Sequence, residues 1–387
     1  MSNLNRIKVV LVEQQKTGKW LAEQLEKSTC TISKWCSNTI QPDLQTLDKI
    51  SKLLDVNIKD LLVDNKKTVP MSNASNNQGR AYEFVCLNSF NEAINKIRPA
   101  KIIRNSSYNA AENAWNTLTQ DEQNLYTLSA KSTIETIFAL EPNIVEHSSD
   151  ILNLYIQNDQ HGEDADVRDI IIERKDIIWE IGLSVKHNHM AVKHSRIAKT
   201  LDFGSKWYGI PCSSTYWSDV KPIFDFLERE KVKGTLFRDL SSKEDDVYLP
   251  LLNAFVKEVS CQVQTNNNVP RRMVEYLLSK YDFYKVISID QKRVTTIQSF
   301  NMYGTLNQPS HSSQPTIKVP VINLPTTLLH IGFKSGSKTT VIMCFDNGWQ
   351  FSFRIHNAKD IVETSLKFDI QIVGMPADVN IKYNCKW

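Results

Sequence analysis

The sequence predicts an α/β (α+β) domain, a mixed sheet flanked by helices, preceded by a small all-α domain. Three observations carry this. Residues 4–63 break into five short apolar-periodic segments joined by only a few residues each. Residues 165–187 hold two apolar β-segments around a polar turn. The C-terminal part sets an apolar run, Val341 to Phe345, and an alternating one, Trp349 to His356, on either side of Asn347-Gly348, a strong hairpin-turn pair.

The front segments are Leu4 to Glu13, Gly18 to Leu25, Thr29 to Cys36, Leu44 to Leu54 and Ile58 to Leu62. The second, a tight turn and a third that opens on small polar residues follow helix-turn-helix grammar. Asp43 is expected to cap the fourth helix. The polar tract from Asp64 to Arg80 lacks apolar periodicity and reads as a linker. The expected domains are residues 1–67, a flexible linker at 68–80, and 81–387. Residues 81–141 read as mainly helical, with a last helix from Leu128 to Leu140 stopped by Glu141-Pro142. The central hairpin is expected to run from Val167 to Glu173, turn at Arg174-Lys175-Asp176, and return from Ile177 to Lys186. Helices are expected at 190–200, 216–231, 247–262 and 270–280, then strands at 341–345 and 349–356.

A chain of 387 residues can hold two or three domains with ample core. No apolar run approaches the ~20 residues that span a bilayer, and no apolar signal core follows Met1, so a cytoplasmic location is expected. The 7 Cys form no C-x-x-C pair, which argues against a zinc cage or a disulfide framework. The net charge of +3 resides in residues 1–67, with 11 Lys and Arg against 8 Asp and Glu; the remainder balances at 35 against 35. A neutral domain still binds nucleic acid where its cations gather in one cleft.

The chemistry centres on Asp166-Val167-Arg168-Asp169-Ile170-Ile171-Ile172 and Trp179 to His189. Acids open one apolar strand and Lys186 closes the next. Phosphodiester hydrolysis needs an activated water, neutralised phosphoryl oxygens and a stabilised leaving alkoxide. Carboxylate-held Mg²⁺ and a neighbouring lysine supply these, and Asp166, Asp169 and Glu180 are the oxygen donors at hand. Strand alternation puts Glu180, Gly182, Ser184 and Lys186 on one face. A three-residue loop would bring Asp166 opposite Ser184; a two-residue loop would bring Asp169 to that face instead. Asp169, directly before the isoleucine run, is the preferred ligand. Glu180 lies about 13 Å along the strand from Ser184 at ~3.3 Å per residue, so it joins only through a bulge, for which Gly182 is the candidate. Otherwise Glu135 or Glu141 from the preceding helix completes the site. In the bland alternative these charges are solvated strand ends, and Arg168 pairs with Asp166 or Asp169. The adjacent letters His187-Asn188-His189 are not a ββα-metal motif, whose His, Asn and His lie far apart in sequence.

On these strings, and on Ala191 to Arg196, Lys206 to Cys212, Tyr281 to Val286 and Asp346 to Ala358, residues 79–387 resemble the HaeIII family of type II restriction endonucleases, within the PD-(D/E)xK superfamily. The resemblance implies a PD-(D/E)xK nuclease core, Mg²⁺-dependent double-strand cleavage of DNA at GGCC, and a homodimer. Ser184 departs from the superfamily pattern, which has Asp or Glu before x-Lys. Residues 4–62 resemble the Cro/C1-type repressor fold, which implies that Thr29, Cys30, Ser33 and Lys34 face the major groove. A cognate methyltransferase is then a functional partner.

Guanine O6 and N7 suit forked donors. Arg196 and Arg354 are the candidates for base contact and Lys193 for phosphate. His356 shares the polar face of its strand with Gln350, Ser352 and Arg354, against an apolar face of Trp349, Phe351, Phe353 and Ile355. A solvated outer face would show the same alternation. The rival readings are a transcription regulator whose large domain senses a ligand without catalysis, and a nicking or repair nuclease.

Overall fold

A computed structural model describes residues 4–14, 16–62, 71–158, 166–188, 195–379 and 381–387. The chain divides into two compact units, Met1–Ala74 and Ser75–Trp387.

The first unit holds α1 (Ile7–Glu13), α2 (Gly18–Gln24), α3 (Thr29–Cys36), α4 (Leu44–Leu54) and a 3-10 turn at Ile58–Leu61. Residues this short in helical length cannot hold a helix by propensity alone; a shared apolar core does it. Ile7, Val10, Leu11, Leu21, Ile32, Trp35, Leu47, Ile50, Leu54 and Leu61 supply that core. The first helix starts at Ile7 rather than Leu4, because Asn5 instead bridges to Leu62. Side-chain caps start the next three helices: Thr17 accepts from the Trp20 N–H, Ser28 from Thr31, and Asp43 from Thr46 at 2.8 Å. Asn38, at φ +57°, accepts the Leu4 and Asn5 N–H groups and donates to the Asn5 carbonyl.

The helix α5 (Met71–Ile94) spans the boundary at Ala74, so residues 71–80, read as linker, are the start of a helix. Then come β1 (Ala100–Ile102), α6 (Ser106–Asn116), α7 (Gln120–Lys131), α8 (Ile134–Leu140) and α9 (Pro142–Val145). The single helix expected over 128–140 is thus two. The Thr133 hydroxyl donates back to the Ala130 carbonyl at the break. Next follow β2 (Leu152–Ile156), β3 (Ile170–Arg174), β4 (Trp179–His187) and β5 (Arg196–Ala198). Residues 190–194 of the expected 190–200 helix lie outside the described residues, and Arg196–Ala198 is a strand. The helices α10 (Phe203–Trp207), α11 (Ser214–Val232), α12 (Leu249–Thr265) and α13 (Val269–Leu277) lead to β6 (Phe283–Ile289) and β7 (Val294–Phe300). The tail is β8 (Leu328–Phe333), β9 (Thr340–Phe345), β10 (Gln350–His356), β11 (Ser365–Gly374) and β12 (Tyr383–Lys386). As expected, Asn347 and Gly348 turn β9 into β10, at φ +57° and +87°.

Two sheets organise these elements. One is mixed, in the order β1-β2-β3-β4-β6-β7-β12, with β1/β2 and β4/β6 parallel. The other is antiparallel, β5-β11-β10-β9-β8. Ile170, Ile172, Ile181, Leu183, Val185 and Tyr284 on one face of the mixed sheet pack with Tyr82, Val85 and Phe90 of α5 and with α7–α9. Phe283 and Phe300, on its other face, join a second core with α10–α13 and with Phe351, Phe353 and Phe368 of the antiparallel sheet. Among the described residues no helix is long and apolar enough to cross a membrane. All seven cysteines are unpaired.

Ile50 is wholly buried in the first unit's core. Ile50→Ala should destabilise that unit by about 2–5 kcal/mol. Calorimetry of the full chain should then show an earlier, separate transition for residues 1–74, with the main transition unmoved.

Candidate active site

The β3–β4 pairing decides which acid meets the lysine. Arg174 pairs with Trp179, Ile172 with Ile181 and Ile170 with Leu183. The connection is therefore four residues, Lys175–Ile178, with Ile178 in the left-handed region at φ +52°. Neither expected loop length is observed, but four residues give the same strand parity as two. One step beyond the paired run, the Asp169 N–H donates to the Leu183 carbonyl at 2.8 Å. Asp169 thereby arrives at Ser184. Its Oδ2 accepts from the Val185 N–H at 2.8 Å, from Lys186 Nζ at 2.8 Å and from Ser184 Oγ at 3.3 Å. The acidic entrance of β3 and the basic exit of β4 converge.

Asp166 and Glu180 do not join them. Asp166 is buried and takes a forked pair of bonds from Arg168, Nε to Oδ1 at 2.9 Å and Nη2 to Oδ2 at 2.8 Å. Arg168 Nη1 donates to Glu180 Oε1 at 2.6 Å, and the guanidinium lies 4.1 Å from the centre of the Tyr281 ring. Gly182 makes no bulge, since the β3–β4 register is unbroken. It is glycine because Arg168 crosses it: a Cβ there would stand 2.0 Å from Arg168 Cδ. The Arg168–Asp166 pair is the one the bland alternative gave, although Asp166 is buried rather than solvated; Glu180, which is exposed, shares the same guanidinium. Burial disfavours the Arg168 cation, but the bonds and charges of Asp166 and Glu180 outweigh it and raise its pKa.

Glu141 is also displaced from the role expected of it. It is fully buried, and its Oε1 accepts from Tyr284 Oη at 2.5 Å and from the Asn307 N–H at 2.6 Å. Tyr284 points into the α5–α9 core, whereas its neighbour Lys285 lies beside Ser184 on the other face. The sheet lies between Glu141 and the Asp169–Lys186 pair. Burial pushes the Glu141 carboxyl up to about 7 against those two bonds, and Oε2 has no partner. Glu135 is exposed on α8.

Two residues not singled out from sequence bear on Lys186. Lys285, 7% exposed, is in register with Ser184 and lines a small cleft with Val167, Ser184, Lys186 and Phe283. Burial first, and then the Lys186 charge, pull its pKa down to about 8 against the opposing pull of Asp169. Glu83 of α5 is half-buried and close enough to act on Lys186. Burial disfavours the Lys186 ammonium, but Asp169 and, more weakly, Glu83 hold its pKa above the ordinary value. Glu83 was findable as the single acid within the otherwise apolar stretch Ala81–Leu87.

These residues fit a hard divalent cation taken up together with substrate. Asp169 Oδ1 accepts no hydrogen bond among the described residues, and no cluster there holds three metal-ligating His, Cys, Asp or Glu side chains. Mg²⁺ commonly binds through one or two carboxylates, with phosphate oxygens and waters completing its shell. His187 is no ligand: Nε2 bonds Asp290 at 2.7 Å and Nδ1 bonds Tyr126 at 3.1 Å.

The DNA-facing candidates divide. Thr29, Cys30, Ser33 and Lys34 are exposed on α3, while Ile32 and Trp35 are buried beneath them. Arg196 of β5, Lys367 of β11 and His356 of β10 fall in one register row, on the face opposite the core residues Ile197, Phe368 and Ile355. Lys367 was hidden in sequence, because its row is assembled from three distant segments. Arg354 is exposed one step along, opposite Asp369. Arg196 also contacts Ser365 and lies 4.0 Å from Glu363. Lys193 lies outside the described residues.

A carboxylate and a lysine brought together at adjacent strand ends of a mixed α/β sheet, behind a helix-turn-helix unit, belong to the class of DNA-cleaving enzymes. Residues 79–376 match the HaeIII restriction endonuclease family, and residues 6–67 match the Cro/C1-type HTH DNA-binding domain. The chain is 50% identical over 310 residues to the type II restriction enzyme HaeIII of Haemophilus aegyptius, covering 80% of this chain and 97% of that protein. A solved putative DNA-binding protein from Bacteroides fragilis is 57% identical over 16% of this chain and 97% of its own, with a TM-score of 0.15. The chain belongs to the HaeIII family of restriction endonucleases and is a type II site-specific deoxyribonuclease carrying a helix-turn-helix domain. Family membership decides against a sensor domain without catalysis.

Two outcomes follow from this geometry. A Glu141 pKa raised above its ordinary 4.5 favours folding while the group is neutral, so that stability is lost as pH rises through about 7. Glu141→Gln keeps an acceptor but cannot ionise. Its melting temperature should match wild type at pH 4 and exceed it at pH 8, by up to about 3 kcal/mol of stability, with cutting within a few-fold of wild type. Gly182→Ala should displace Arg168, lower the melting temperature and slow cutting; an unchanged melting temperature would contradict the crossing.

Proposed function

We propose that the chain makes Mg²⁺-dependent double-strand cuts in DNA at GGCC, the target its family resemblance implies. The observation that carries the chemistry is the Asp169–Lys186 contact. Asp169, with Glu83 in place of the expected Glu141, would hold the cation, which when bound neutralises charge on the phosphoryl oxygens. Lys186, fixed by Asp169, orients water for in-line attack on phosphorus. The P–O3′ bond breaks, the attacking water gives up its proton to solvent, and the leaving oxygen takes one up. The products are a 5′-phosphate and a 3′-hydroxyl. Asp166 and Glu180 act at one remove, through Arg168, by fixing the segment that presents Asp169.

Arg196, Lys367, His356 and Arg354 form the polar face offered to the duplex, and Lys193 is the candidate for phosphate contact. A palindromic target calls for a two-fold arrangement, so the working species is a homodimer. The α3 residues Thr29, Cys30, Ser33 and Lys34 would read a second sequence, the operator of the chain's own restriction–modification genes. The cognate methyltransferase would protect GGCC in the same cytoplasm.

Plasmid DNA incubated with the chain and Mg²⁺ should be cut at GGCC, with ends that map to 5′-phosphates. Lys186→Ala and Asp169→Asn should bind a GGCC duplex yet cut at least about 10²-fold more slowly. Wild-type rates in Lys186→Ala would remove the lysine from its role. Footprinting of the upstream DNA should show protection by the full chain that Lys34→Ala loses. No protection by the unmutated chain would end the operator reading.

A further inference from the structure

His187 and Asn188 follow Lys186 directly, and the end of the strand that carries them is supported by a neighbouring strand on one side only. The β3 pairing of β4 ends at Leu183, whereas β6 pairs with β4 from Leu183 to His187. On the open side the Val185 N–H is met by a side chain, Asp169 Oδ2, in place of a strand. Lys186 thus sits near the end of a half-supported strand, on a flexible carbon stem. A lysine that must hold water at one point needs its backbone fixed.

The next two residues supply the hold. His187 turns to the face of Leu183 and Val185, away from Lys186, and its ring centre lies 4.2 Å from that of Tyr126 and 5.8 Å from that of Tyr82. Its side chain is 5% exposed. Both ring nitrogens are engaged, Nε2 with Asp290 Oδ2 at 2.7 Å and Nδ1 with Tyr126 Oη at 3.1 Å. A hydroxyl donates to an imidazole nitrogen or accepts from it, so the Tyr126 contact holds whichever charge the ring carries. Asn188, at φ +52°, donates from Nδ2 to Asp290 Oδ2 at 3.0 Å and accepts the Asp290 N–H on Oδ1 at 3.1 Å. Its own N–H donates to the Ser288 carbonyl at 2.9 Å, and Ser288 Oγ donates to Asp290 Oδ1 at 3.1 Å. Asp290 stands directly after β6, so one carboxylate gathers the ends of both strands, and Tyr126 ties them to α7. A buried imidazole paired at both nitrogens has one orientation open to it.

We propose that His187 and Asp290 are positioning residues for the cleavage reaction: with Tyr126 and Asn188 they clasp the end of β4 to β6 and α7, and so set where Lys186 holds its ammonium. They act through Lys186 alone, without touching DNA or metal. The inference rests on the nuclease reading above. A histidine that met DNA would contribute to binding, whereas this one contributes to rate at fixed binding.

The test uses the full chain and Mg²⁺, with single-turnover cutting of a GGCC duplex and binding to the same duplex carrying an uncleavable linkage. His187→Ala and Asp290→Ala should bind within a few-fold of wild type and cut about 10- to 100-fold more slowly, the cost of misplacing a reacting group by about 1 Å. His187→Gln, whose amide nitrogen can stand in for Nε2, should recover part of the loss. The deciding measurement is a double-mutant cycle. Added to Lys186→Ala, His187→Ala should slow cutting by less than about 2-fold further, because the group it positions is gone. Thermal melts should show the variants folded; if His187→Ala melts below the assay temperature, Asp290→Asn, which keeps the size and loses the charge, carries the same cycle. Losses that multiply in the double variant would overturn the proposal, as would wild-type cutting by both alanine variants. So would a loss of binding large enough to account for the loss of cutting. Wild-type cutting by Lys186→Ala would instead bring down the nuclease reading itself, and it is told apart because His187 is intact there.

Discussion

The strand register between β3 and β4 is the constraint on which the rest of the site depends. A slip of one residue turns every side chain to the other face. It would take Asp169 from Ser184 and Lys186 and would also pull Leu183 and Val185 from the core under α5. The hydrophobic interior thus enforces the meeting of Asp169 with Ser184 and Lys186. The turn end adds a second hold. Arg174 is buried and donates to Asp150 at 2.9 and 3.0 Å and to Glu146 at 2.6 Å. It is the last paired residue before the loop, so Ile178 can adopt its left-handed conformation without letting the strands slide.

The same register shows why sequence could not settle the choice between Asp166 and Asp169. Alternation marks a face only where one side of a strand is solvated. Ile170, Ile171 and Ile172 are all fully buried, because helices cover one face of the sheet and a second core covers the other. The β4 strand was more legible, since Gly182, Ser184 and Lys186 interrupt its apolar residues at every second position. The front helices were legible for a further reason: their caps are local. Ser28 and Asp43 act within three residues of themselves, and the core periodicity of α4 lies within one segment. By contrast, the β5 segment became a strand through pairing with Ser365–Lys367, more than 160 residues away in the chain. Nothing local in Arg196–Ala198 encodes that partner. Glu141 looked available because it ends a helix before proline; its bonds to Tyr284 and Asn307 are long-range as well.

Charge in the site follows a division of labour among acids. A count along the chain gives a balanced large domain, 35 cations against 35 anions. The fold converts that balance into local imbalance. Arg168 neutralises Asp166 and draws on Glu180, while Arg98 and Arg174 occupy Asp150 and Glu146. With those acids occupied, Lys186 and Lys285 stand on one face of β4 and β6 with Asp169 beside Lys186. Screening is weak for partly buried groups, so the two lysines of the cleft act more strongly than their number suggests.

Buried ion pairs of this kind are weak as stabilisers, because lost hydration offsets most of the attraction. Their value here is geometric. Arg168 has one productive orientation: its fork matches Asp166, its plane lies over Tyr281, and its stem needs the space that Gly182 leaves empty. An apolar side chain could fill that space with comparable stability, yet it would leave the segment from Asp166 to Asp169 free to adopt other paths. Asp169 must meet three donors at once within a few tenths of an ångström. A segment fixed by directional bonds on the residue immediately before it delivers that accuracy, and a greasy contact would not.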